Sequence, residues 1–137
     1  MENTAKETEI RNELAHNIGS EHLYHHPLFK GIHYTEGIIA MYETCNANWL
    51  LIDVLANCKL LSHHPFITIK LHKSPTENSC RVVFEDGNNN ILQTIPYSCT
   101  DFPLNDQVIK RDGEPDKKAP ALTMYFTNSV LLLPSEY

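Results

Sequence analysis

Pro65-Phe66-Ile67-Thr68-Ile69-Lys70-Leu71-His72 is the stretch on which the fold turns. Upstream of it, apolar residues recur at helical spacing. Within it, Ile67, Ile69 and Leu71 alternate with Thr68, Lys70 and His72, the period of a half-buried strand. The chain therefore divides near Pro65 into a helical part and a stranded part.

Working upstream, Trp49, Leu50, Leu51, Ile52, Val54, Leu55 and Leu60 predict the most apolar helix, opened by Asn46 or Asn48 and running to about Leu61. Thr35 is the expected cap of the helix before it, with Glu36 in the first turn and Ile38, Met41, Tyr42 and Cys45 on the apolar side. Residues 20–33 read as irregular. Thr4 and Glu7 suit a capping box for a first helix with a thin stripe of Ile10, Leu14 and Ile18, stopped at Gly19. That helix is expected to be peripheral.

Working downstream, residues 80–85 predict a strand with Val82 and Phe84 inward. Asp86-Gly87-Asn88-Asn89 is a hairpin turn, because Gly and Asn tolerate positive φ. Further strands are expected over residues 90–97 and 122–126. Between them, Lys110-Arg111-Asp112-Gly113-Glu114-Pro115-Asp116-Lys117-Lys118 marks residues 105–120 as an exposed charged loop. Val130-Leu131-Leu132-Leu133 forms the last strand, entered through Asn128-Ser129 and stopped by Pro134. Its register is expected to put two of the four in the core. The expected fold is an α+β domain over residues 1–137, with N-terminal helices packed on one face of an antiparallel β-meander of four to five strands.

Composition narrows the functional classes. The chain has 137 residues, 42% apolar and 20% charged, enough to bury a core. A formal charge of −6 with scattered basic residues argues against direct nucleic-acid affinity. No apolar run reaches the roughly 20 residues of a membrane span, and the amino end has no signal core. Cys45, Cys58, Cys80 and Cys99 lack a Cys-x-x-Cys pair and read as reduced thiols of a cytoplasmic protein.

Several segments in order resemble a known family. They are Gly19-Ser20-Glu21, Tyr24-His25-His26-Pro27-Leu28, Tyr34-Thr35-Glu36-Gly37, Trp49-Leu50-Leu51-Ile52-Asp53, Glu85-Asp86-Gly87-Asn88, Thr100-Asp101-Phe102-Pro103-Leu104 and the closing residues 130–137. Together they resemble domain of unknown function 6876 over roughly residues 18–137. Two departures are turn changes: the long loop at 105–120, and Asn128-Ser129 where Asp-Gly is usual. The resemblance implies a small cytoplasmic protein of bacterial, phage or plasmid origin and carries no catalytic role.

Chemistry-bearing groups remain to be weighed. His22 and His26, with His25 between them, could join His63, His64 or His33 in a zinc or nickel site, although Pro27 interrupts helical spacing. Surface or capping histidines are the plainer reading. Asp53, set among Trp49, Leu50, Leu51, Ile52, Val54 and Leu55, would be a costly buried carboxylate unless it faces water, as a stripe shared with Asn46 and Asn57 suggests. Phe102 and Leu104 suit an edge plug of the core, with Asp101 capping a turn; an aromatic anchor for a partner is the alternative. No nucleophile elbow, Cys–His motif or phosphate loop is present.

Trp49, Asp53, Glu85, Asp86, Asp101 and Phe102 are accordingly the candidate binding residues, with no catalytic residue and no cofactor expected. The expected function is that of a small, acidic, non-enzymatic protein-binding module from a mobile element. Inhibition of a host nuclease or defence complex, of the anti-CRISPR type and through the target's nucleic-acid channel, is its concrete form. A metal-dependent enzyme built on the histidines and a self-associating module, dimerising through the apolar terminal strand, are the alternatives.

Overall fold

A computed structural model describes residues 23–76, 78–98, 100 and 102–137. The expected first helix and Gly19 lie outside the described residues, as do His22, Cys99 and Asp101. Within them the order is β1 (Leu23–Tyr24), β2 (His33–Thr35), α1 (Glu36–Thr44), α2 (Asn48–Leu60), β3 (Phe66–His72), β4 (Cys80–Asp86), β5 (Ile91–Tyr97), β6 (Gln107–Ile109), β7 (Lys117–Ala119), β8 (Leu122–Thr127), β9 (Val130–Leu132) and a closing 3₁₀ turn, Pro134–Glu136.

The architecture is α+β, with a seven-stranded sheet in the order β1-β2-β9-β8-β3-β4-β5. Every pairing in it is antiparallel except that of β2 with β9. The alternation in β3 behaves as expected: Ile67, Ile69 and Leu71 are fully buried. They share one core cluster with Val82 and Phe84 of β4, Met124 and Phe126 of β8, and Ile38, Met41, Tyr42, Leu50, Val54 and Leu55 of the two helices. Tyr42 Oη, deep in that cluster, donates to Met124 Sδ at 3.3 Å.

The helix boundaries follow local chemistry. Thr35 caps α1, its Oγ1 accepting from Ile38 N at 3.3 Å. Asn46 does not open α2; at φ 52° it turns the corner between the helices. The cap of α2 is Ala47, which supplies no side-chain bond. Asn takes that left-handed corner because its short polar side chain tolerates positive φ.

Seven strands replace the four to five expected, for a physical reason. β1 and β2 are two and three residues long and form by backbone pairing, so no alternating side chains announce them. Within residues 105–120, residues 107–118 are exposed, as expected, but the segment is not a plain loop: β6 and β7 pair as a separate two-stranded hairpin. The meander also ends early. β8 returns to the free side of β3, and β9 then inserts between β8 and β2.

Both edges of β9 are thus taken up within the chain, so the terminal strand offers no edge for a dimer. Asn128 and Ser129, at φ 52° and 62°, make the two-residue turn that feeds it. Leu131 and Leu133 join the core cluster, two of the four as expected, while Leu132 is buried outside it. Among the described residues no helix is long and apolar enough to cross a membrane.

Candidate functional site

Helix α2 is apolar on more than its core side. Leu50, Leu51, Val54, Leu55 and Cys58 point inward. Trp49, Ile52 and Leu60 do not, and expose 38%, 41% and 74% of their surface. Residues 49, 52, 53, 56 and 60 recur every three or four positions and so lie along one stripe of the helix. A helix apolar all round is normally enclosed; this one keeps a large aromatic and two large aliphatic side chains at the surface.

Tyr97, at the end of β5, fixes the near end of this stripe. Its ring meets that of Trp49 edge to face, with centroids 5.2 Å apart. Its Oη donates to Asp53 Oδ2 at 2.6 Å. Burial raises the Tyr97 pKa well above the usual phenol range, reinforced by the hydrogen bond and charge of Asp53. Asp53 is therefore neither a stranded interior carboxylate nor an unengaged one; it lies on the exposed side of α2 and holds the tyrosine in place.

Tyr97 also lines a cleft of about 430 Å³. Its walls include His72, Arg81, Pro96, Ser98 and Asp106. Asp106 Oδ1 accepts from Lys73 N at 2.9 Å and Ala121 N at 3.1 Å, and lies 3.9 Å from His72 Nδ1. The imidazole pKa is lowered chiefly by burial and then by Arg81, with Asp106 opposing. Cys80, also in the wall, has its thiol pKa raised by burial, which makes it a poor nucleophile.

The remaining sequence candidates scatter. Glu85 is 9% exposed and pairs with Lys70 Nζ at 3.3 Å. Asp86 is spent on its turn, where Oδ1 accepts from Asn88 N at 2.8 Å and Asn90 N at 2.9 Å. Hydrogen bonds from Asn90 hold its pKa below the ordinary value. Phe102, 2% exposed, plugs the core beside Leu104, so its ring is enclosed and not offered to a partner.

The described histidines do not come together as the metal site considered above would need, and His22 lies outside the described residues. His25 contacts His33 and His63 contacts His64, with ring centroids 6.2 and 4.2 Å apart. His26 turns to its own backbone, Nδ1 accepting from Leu28 N at 3.1 Å. Among the described residues no three His, Cys, Asp or Glu side chains are placed to hold a metal ion.

Of the candidates, then, Trp49 and Asp53 are brought together at the surface. The sequence reading missed Tyr97, Ile52, Leu60, His72 and Arg81. For Ile52 and Leu60 a signal existed, since they share the helical stripe of Trp49. For Tyr97 none did, because its meeting with α2 depends on where β5 lies in the sheet.

No curated protein and no solved structure matches this chain. A family profile does, over residues 8–137, reaching ten residues further toward the amino end than the resemblance seen in the sequence and taking in most of the expected first helix. The chain belongs to the family of unknown function DUF6876.

Proposed function

We propose that this protein is a non-enzymatic docking module whose partner is another protein, held on the outer stripe of α2. The observation that carries this reading is the exposure of Trp49, Ile52 and Leu60 on one stripe of a helix that already buries its other side. Trp and Tyr are the residue types most enriched at the energetic centres of interfaces. Tyr97 braces Trp49, so little side-chain freedom is lost when a partner covers the indole.

The partner's chemistry follows from charge. The chain carries −6 overall and Asp53 sits within the stripe, so the complementary surface is an apolar pocket with a basic rim. A host nuclease or defence complex, met at its nucleic-acid channel by a protein from a mobile element, is the concrete form of this reading. The double variant Ile52→Asp/Leu60→Asp changes only exposed positions and tests it. A stoichiometric partner captured by the wild type, lost from the variant and weakened by salt is the expected result. A partner that binds the variant equally well would refute the α2 reading, as would wild-type protein that instead dimerises through this face in sedimentation.

A further inference from the structure

The cleft that Tyr97 lines carries a different chemistry, independent of protein docking at α2. His72, Arg81 and Pro96 are successive cross-strand partners over β3, β4 and β5. Side chains directly opposite one another leave the sheet about 5 Å apart on the same face. The imidazole of His72 and the guanidinium of Arg81 therefore stand side by side at the cleft wall.

The neighbouring charges are already engaged. Lys70 pairs with Glu85 at 3.3 Å, and Lys73 Nζ donates to Asn105 Oδ1 at 2.8 Å. Asp106, the carboxylate nearest His72, has one oxygen tied to two backbone N–H groups. Among the described residues, Arg81 has no carboxylate within ion-pair distance. An exposed guanidinium fork beside an imidazole and the hydroxyl-bearing Ser98, at the wall of a 430 Å³ cleft, is a donor-rich arrangement.

We infer that this cleft binds a small ligand through an oxyanion group, phosphate or carboxylate, gripped by Arg81 and by the protonated form of His72. Every charged group facing His72 enters the linkage: Arg81 and Lys70 disfavour its proton, whereas Asp106 and Glu85 favour it. An anion seated against Arg81 offsets the first pair. Binding should then take up a proton at His72, and affinity should rise as pH falls below neutrality.

The test is a titration of tag-free, full-length protein with inorganic phosphate and, separately, with acetate, read on the His72 imidazole resonance by NMR and assigned with His72→Gln. Saturable movement is expected, with the His72 titration midpoint rising by about one pH unit at saturation. Arg81→Gln, at an exposed position, should lose about tenfold or more in affinity, and Arg81→Lys, which keeps the charge without the fork, should fall between. Response to phosphate alone assigns a phosphorylated ligand; response to acetate as well assigns a carboxylate. If neither anion moves the resonance up to about 10 mM, or wild type and Arg81→Gln respond alike, the proposal is overturned.

Discussion

The carboxylate of Glu136 lies against the backbone of Gly37, 99 residues earlier, its Oε2 accepting the Gly37 N–H at 3.3 Å. The same carboxylate accepts from Thr35 Oγ1 at 2.6 Å and from Leu133 N at 3.0 Å. It therefore sits at the N-terminus of α1, where unpaired N–H groups and the helix dipole favour negative charge. A Cβ on residue 37 would stand 2.5 Å from Oε1, so glycine here makes room for the cap rather than supplying an unusual φ.

Gly37→Ala should destabilise the protein by about 1–2 kcal/mol, since the carboxylate must give up hydrogen bonds to keep clear of the methyl group. In a Glu136→Ala background the same change should be neutral or stabilising, because Ala exceeds Gly by about 1 kcal/mol inside a helix. Urea denaturation of the double-mutant cycle measures the difference. Additive effects would show that the clash is not the cause.

Removing residues 130–137 should abolish cooperative unfolding. Their strand separates β2 from β8, and Leu131, Leu132 and Leu133 are buried. At about 1.5–3 kcal/mol per buried leucine, that loss rivals the whole stability of a small domain. Ending the chain after Leu133 keeps the strand, removes the Glu136 cap and the Tyr137 ring that packs on Phe66 and Tyr125, and should leave a folded but weakened protein. Circular dichroism melts distinguish the two truncations.

Ser129 occupies φ 62° without glycine's freedom. Ser129→Gly should stabilise by about 1 kcal/mol, the usual cost of a left-handed conformation for a side chain with a Cβ. By contrast, Gly87 has open space around it and is not at positive φ, so Gly87→Ala should change the melting temperature little.

Tyr97 gives a pH signature. Its folded pKa lies above the unfolded value near 10, so the native state keeps a proton that the unfolded chain releases. The associated stability is present below pH ~10 and is lost as pH rises toward the folded pKa. Asp53→Asn removes the neighbouring charge and should let Tyr97 ionise at lower pH, as followed by phenolate absorbance. An unchanged titration would mean that the hydroxyl and carboxylate do not meet in solution.

Cys45, Cys58 and Cys80 are buried, and burial pushes the Cys58 thiol far above its ordinary range. These three should resist a thiol reagent in the native protein and react once it is denatured. Fast native modification of Cys58, located by mass spectrometry, would contradict its placement in the core.

Much of this was legible along the chain because its signals are local and periodic. The alternation through Ile67, Ile69 and Leu71, the Thr35 cap and the Asn128-Ser129 turn each depend on a few neighbouring residues. The apolar tail likewise announced its own burial. Tertiary structure decided what no local period encodes: that β9 lies between β8 and β2, that Glu136 reaches Gly37, and that Tyr97 braces Trp49 beside Asp53. Those contacts join residues far apart in sequence. They depend on strand order in the sheet, and strand order is set by which edges pair in the assembled fold.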